Sequence, residues 1–374
     1  MAEEVKKQPA AGDEQVTRLQ CASQRQLIWR RFKKHRLALA GLIILSVFYF
    51  IAIFAEVFAP YAKREKLRGY ENSPPSSIHF LVEGKTIPWP HVYATTKTLD
   101  KETFHYEFVE DTSKAYPVRL FVKCETYRLF GFIPCSRKLF GTGHTKAPVL
   151  LFGTDKLGRD IFSRVIYGAR ISLFIGLAGV FLSFVLGCLF GGLAGYFGGW
   201  VDDLIQWLYQ TLASVPGLLL LIALTFVLGQ GLTNVAIALG VVGWVGLCRL
   251  MRAEYLKHKE RDYVLAARAL GAGNYRIIFK HILPNTFHIV IISFSLGFVR
   301  AIMGEVVLTF VGLGAQAHEP SWGRMISDAR AELARDPAVW WPLAGATAAM
   351  FVVCLAFNIL GDSLRDALDP RLKV

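Results

Sequence analysis

Six stretches of this 374-residue chain run for most of a bilayer's thickness with almost no charge, and nothing else in the sequence restricts the fold as much. They cover roughly 37–59, 171–195, 207–229, 232–248, 282–303 and 339–360. A helix rising ~1.5 Å per residue needs about 20 residues to cross ~30 Å of hydrocarbon, and it leaves no backbone group unpaired in lipid. Five stretches meet that length, while 232–248 is short and glycine-rich. Glu56 and Arg300 are the only charged residues inside these bounds, each near an end where a long side chain reaches the headgroups. An apolar share of 53% is more than a soluble domain of this length needs. Six such segments in one chain argue against the competing reading, buried helices of a soluble core.

The formal net charge is +13, and its placement excludes a nucleic-acid binder, since the basic residues gather in segments that flank the apolar stretches. Nine Lys and Arg precede the first stretch, eight lie in 249–281, three in 304–338 and three in the C-terminal tail. The positive-inside rule then predicts six transmembrane helices with both termini cytoplasmic. The eighteen basic residues of 60–170 do not count against this, because long translocated segments escape the rule. The 196–206 turn is the counter-signal, with Asp202 and Asp203 and no Lys or Arg. The first stretch is too long for a cleavable signal and is expected to be a retained anchor; residues 1–20 are expected to be disordered.

The chain thus divides into a basic N-terminal segment (1–36), a first transmembrane helix (37–59), an extracytoplasmic insertion (60–165) and a five-helix core (166–374). The expected fold is an all-α polytopic membrane protein whose insertion has mixed β character. Phe104–Val109 and Val118–Val122 alternate as strands do, after a turn-prone Asn72-Ser73-Pro74-Pro75. The insertion either meets something outside or is a passive lid. Cys124 and Cys135 lie in it, where a disulfide is chemically permitted, and their spacing leaves open whether they meet. Cys188, Cys248 and Cys354 are read as small apolar fillers and Cys21 as a free thiol.

The core carries a cytoplasmic loop at about 249–281. Its 261–271 segment predicts a short helix capped by Asp262 and stopped by Gly271, with Tyr263, Ala266, Ala267 and Leu270 on one face. Pro284 is expected to restart the chain into the fifth span. Such a helix either rests on headgroups or docks its small apolar face into a partner's groove.

Ala266, Ala267 and Gly271, followed by His281-Ile282-Leu283-Pro284, resemble the EAA loop of binding-protein-dependent ABC importer permeases. Leu265 stands where that pattern carries Glu, and His281 where Ile is usual. A second match is Gly153-Thr154-Asp155, Gly158-Arg159-Asp160, then Gly168 and Arg170; it resembles the segment leading into the core of C-type dipeptide/oligopeptide permeases. Trp29-Arg30-Arg31-Phe32, Gly198–Asp202, Pro320–Gly323 and Asp366–Arg371 extend it, so the resemblance covers about 25–60 and 150–374. It implies the type I ABC importer permease fold in a bacterial inner membrane. It further implies that Ala266, Ala267, Arg268, Leu270, Gly271, Leu283 and Pro284 couple to a separate ATPase. The partners implied are a second homologous permease, one or two ABC ATPase subunits, an extracytoplasmic solute-binding protein and membrane lipid. ATP and Mg are expected on the ATPase, with no cofactor in this chain.

No catalytic residue is expected. Asp155, Arg159 and Asp160 can pair with one another and cap the helix entering the bilayer. Gly84-Lys85-Thr86 imitates the end of a phosphate-binding loop, but His79 stands where its first glycine belongs. Glycines four apart in the second stretch, such as Gly187, Gly191 and Gly195, allow close helix contact, and Pro216 is expected to kink the third. With no charge near mid-depth, the sequence favours a gate moved from outside the bilayer over an ion-coupled secondary carrier. A membrane-bound enzyme is the third reading, and no nucleophile–base or metal spacing supports it.

Overall fold

The computed structural model describes residues 32–82, 85–99, 101, 106–129, 132–144, 146–316 and 318–368. Cys21, Trp29–Arg31, Gly84, Phe104, His105, Asp369–Arg371 and the expected disorder of 1–20 lie outside the described residues.

Each apolar stretch becomes helix, usually with longer bounds than its charge-free part. Helix α1 is Arg36–Ile53, followed by a single turn, α2, Ala55–Phe58. Helix α3 is Ile161–Phe197, α4 Gly199–Ser214, α5 Gly217–Leu228 and α6 Leu232–His258. The short α7, Asp262–Ala269, leads into α8, Asn274–Phe310, whose Ile277–Ile282 stretch is π-helical. Helices α9, Trp322–Leu333, and α10, Trp341–Leu368, close the chain. Among the described residues, α1, α3, α6, α8 and α10 are long and apolar enough to cross a membrane alone.

The third stretch is broken rather than kinked: α4 and α5 meet at 94° and make a sixth crossing only as a pair. Pro216 disfavours helical backbone in the residue before it, and Val215, β-branched, is extended at φ −92°, ψ 134°. Pro284 acts differently. It does not restart the chain; it lies within α8, just after the π-helical stretch. Its ring would crowd the carbonyl of Lys280 and it offers no N–H, so the preceding turn widens while the helix continues.

Glycine makes the central seam. A Cβ at Gly191 would lie 2.6 Å from the Cys248 carbonyl oxygen, and one at Gly195 2.5 Å from that of Arg252. Backbones of α3 and α6 therefore approach more closely than any side chain allows. Helix α10 packs against α1 at Gly41 and against α8 where Phe298 and Phe357 stack with centroids 3.8 Å apart.

The insertion is built of strands. An antiparallel sheet, β1 (His79–Val82), β2 (Lys85–Leu99) and β3 (Tyr106–Pro117), stands beside a hairpin of β4 (Arg119–Leu129) and β5 (Ile133–Gly141). Both alternating runs read from the sequence fall largely within β3 and β4. Its buried apolar cluster is small, centred on Val92, Ala147 and Val149. Cys124 and Cys135 sit on the paired strands β4 and β5, a bulge between Lys123 and Tyr127 breaks the register there, and no disulfide joins them.

Candidate functional site: two ends of one helix and the groove beside it

The segment before α3 forms a clasp. Asp160 is the N-cap of α3, its carboxylate accepting from the Ser163 N–H at 2.7 Å. Burial pushes the Asp160 carboxyl up to about 7, while its hydrogen bonds from Ser163 pull it down. Asp155 accepts from the N–H groups of Leu157 and Arg159, and its other oxygen pairs with Arg159 Nε at 2.6 Å. Asp328 of α9 lies 3.6 Å from Arg159 and 4.0 Å from Arg164, and 3.1 Å from Arg324. Two carboxylates thus bridge three guanidinium groups where α3 meets α9, with one positive charge in excess. Asp328 and Arg324 lie far along the chain from the motif, and only the fold reveals them as its partners.

The remaining motif residues hold neighbouring chain. Thr154 Oγ1 donates to the Tyr70 carbonyl and accepts from the Ser73 N–H, and Trp341 Nε1 donates to the Thr154 carbonyl at 3.0 Å. Gly153 and Gly158 have φ of +69° and +70°, and a Cβ on either would strike a carbonyl oxygen at 2.5 Å. Gly168 admits the Pro320 carbonyl and the Trp322 ring. Arg170 donates to both Glu56 oxygens, at 2.6 and 2.7 Å, and to the Ala52 and Ile53 carbonyls. It caps α1 as a cation should at a helix C-terminus, and Glu56 is an ion-pair partner rather than a snorkelling end charge.

At the other end of α3 stands α7. Its N-cap is Arg261, with no side-chain cap; Asp262 is the first helical residue, a correction to its expected capping role. The inward residue is Val264, fully buried in a cluster with Tyr196, Tyr255, Ile277 and Ile282, while Tyr263, Ala266 and Leu270 of the small apolar face are exposed. Burying that one side chain contributes about 1.5–3 kcal/mol. Arg268 lies over the Tyr196 ring at 5.9 Å, and the Tyr196 hydroxyl donates to Asn274 Oδ1 at 2.8 Å. Gly271, φ +79°, ends the helix, its N–H bonded to the Arg268 carbonyl and that of Ala272 to the Ala267 carbonyl. Ala266, Arg268, Leu270, Gly271 and Pro284 are exposed, Ala267 and Leu283 half-buried, and Leu270 is 88% exposed. With Leu265 and Tyr275 also exposed, α7 is a rigidly seated knob with an uncovered apolar surface.

Between these ends a groove of about 280 Å³ opens beside α3, walled by α5, α6 and α8 and lined by Gly179, Ser183, Gly246, Phe294 and Arg300. Because α8 continues to Phe310, both Arg300 and Glu305 fall inside the helix and neither is its terminal residue. Glu305, just past the apolar stretch read from sequence, is fully buried and accepts from Thr309 Oγ1 at 2.9 Å. The uncharged run therefore ends before the helix does, and Arg300 and Glu305 lie on the part of α8 around and beyond that end.

Membrane-crossing helices around an open groove, with a seated knob at one end, define a multi-span transport subunit. Residues 187–374 match the family described as binding-protein-dependent transport system inner membrane component, and residues 23–75 match the N-terminal TM domain of oligopeptide transport permease C. The chain belongs to the former family and is a permease subunit of an ABC importer. It is similar to the dipeptide transport system permease protein DppC of Bacillus subtilis, 33% identical over 92% of this chain and 85% of that one. It is also similar to the glutathione transport system permease protein GsiD of Escherichia coli, 44% identical over 59% of this chain and 72% of that one. A structure of the MetNI methionine ABC transporter in an inward-facing conformation covers 56% of this chain and 98% of its own, at 16% identity and a TM-score of 0.45.

Proposed function

We propose that this permease carries short peptides or peptide-like solutes, and that α7 is the seat of a separate ATPase that moves the spans. The observation that carries the reading is the knob itself: an exposed apolar surface on a helix anchored to α3 and α8 through Val264 and Tyr196. A push on such a helix reaches the spanning segments without being lost in a loose loop. Ala266, Ala267, Arg268, Leu270 and Gly271 would meet the ATPase, and Leu283 and Pro284 would form the root that passes the push into α8. Relatives named for dipeptides and glutathione support a peptide cargo.

In this reading both termini and α7 are cytoplasmic, and the six crossings include the bent α4–α5 pair. Residues 60–165 are extracytoplasmic and meet a solute-binding protein. A second, similar permease completes the path, and ATP and Mg²⁺ act on the ATPase. The test is co-purification from cells expressing the whole transporter. The wild type should bring down an ATPase and a sister permease, and Leu270→Glu should lose the ATPase while keeping the permease. Retention of the ATPase and normal peptide uptake in Leu270→Glu would overturn the docking role.

A further inference from the structure

Arg300 is an exposed cation on α8. It lies ten residues before the end of α8, near the end of the apolar 282–303 run. A guanidinium within the hydrocarbon costs up to about 2.5–3.5 kcal/mol unless it faces protein or water. Arg300 lines the groove with the hydroxyl residues Ser183 and Ser293 and with Gly246. The groove's lining contains no carboxylate. Among the described residues none lies within 4 Å of the Arg300 guanidinium. Glu305 is five residues on, about 140° further round the helix, and is held by Thr309.

We infer that Arg300 is a cargo-contacting residue that holds the free carboxylate of a peptide during passage. The inference rests on the peptide reading above and deepens it by naming the group recognised. A guanidinium offers a planar fork of donors that matches a carboxylate in two parallel hydrogen bonds. A terminal carboxylate is common to every unmodified peptide, so contact there is independent of side-chain sequence. Gly246 fits the same reading, because a Cβ added to it would meet nothing within 4 Å. No neighbour requires a glycine there, and its smallness keeps the groove open.

The test uses the complete importer in proteoliposomes, with its binding protein and ATPase, and radiolabelled dialanine and trialanine as probes. Arg300→Gln should lower maximal uptake about tenfold or more, with the half-saturating peptide concentration unchanged because capture precedes passage. Arg300→Lys, which keeps the charge but not the fork, should recover part of the rate. Binding-protein-stimulated ATP hydrolysis and recovery of the assembled complex should stay at wild-type levels, which a merely structural role would not leave intact. Gly246→Leu should also slow uptake by narrowing the groove. Wild-type uptake in either Arg300→Gln or Gly246→Leu would overturn the inference alone. Loss of the sister permease from the Arg300→Gln complex would do the same, by assigning the arginine to an interface. Failure of the wild-type importer to move either probe would instead remove the peptide reading, and this inference with it.

Discussion

The two ends of α3 differ in how they treat charge and apolar surface. At the Asp160 end, five charged side chains are drawn together and two glycines admit carbonyl oxygens, so the clasp is closed and pairs its charges within itself. At the Tyr196 end, one valine and one arginine–tyrosine contact seat a helix whose leucines face outward. A segment that is only structural satisfies its groups internally, whereas one that transmits force must be anchored on one side and left bare on the other. The motifs at the two ends are equally conspicuous in the sequence, and the difference in their work lies in what they leave uncovered.

The largest expected effect strikes the closed end. Asp155→Ala strips Arg159 and Arg164 of a buried carboxylate and should destabilise the protein by about 3–5 kcal/mol, read as thermal unfolding in detergent by tryptophan fluorescence. A loss below about 1 kcal/mol would break the comparison, since the cluster would then be no more than a surface network. Gly195→Leu forces a side chain against the Arg252 carbonyl and should cost about 1–3 kcal/mol by the same assay, locating rigidity along the α3–α6 seam. At the open end Gly271→Ala should cost only about 1 kcal/mol, the penalty of a left-handed residue with no clash around it, yet should reduce peptide uptake.

Smaller effects sharpen the contrast. Asp160→Asn keeps a capping oxygen and, near pH 4 where the folded wild-type carboxyl is protonated, should change stability by less than about 1 kcal/mol. It should also flatten the pH profile. The wild-type carboxyl binds its proton more tightly folded than unfolded, so this group's contribution falls as pH rises from about 4 through about 7. Equal slopes in the two proteins over that range would show that the carboxyl titrates normally. Ala266→Glu should shift stability by no more than about 0.5 kcal/mol, being exposed, while abolishing uptake. Uptake at the wild-type rate would place the docking surface elsewhere.

Apolar runs gave away α1, α3, α6 and α10 because lipid demands a continuous stretch without charge, and that demand is local. Where helices continue past the apolar run, the demand is met by tertiary partners, and composition misplaces the end. Glu305 is the case in point: a carboxylate buried against Thr309 of its own helix and against Gly323 of α9 reads in sequence as the start of a loop. Pro216 and Pro284 look alike in sequence, yet one breaks a span by 94° and the other widens a turn. The difference is what precedes them: Val215 is driven extended, whereas the turn before Pro284 is pinned by the buried Ile277, Ile278 and Ile282. Val264 was hidden because the cluster that buries it is built from Tyr196 of α3, Tyr255 of α6 and the root of α8, none of which the local periodicity of 261–271 reveals.

The π-helical stretch at the root of α8 has a geometric corollary for how the protein can move. Six residues wound at that wider pitch occupy one fewer α-helical place than their number, so the root holds one residue of slack. Were it to tighten with the chain intact, the base would have to turn against the shaft by about 100° and separate from it by about 1.5 Å. Val264 packs in the cluster that contains this stretch, and Arg300 rides on the shaft above it. A corkscrew of one residue is therefore the smallest discrete step by which the two could change their relation without either helix melting.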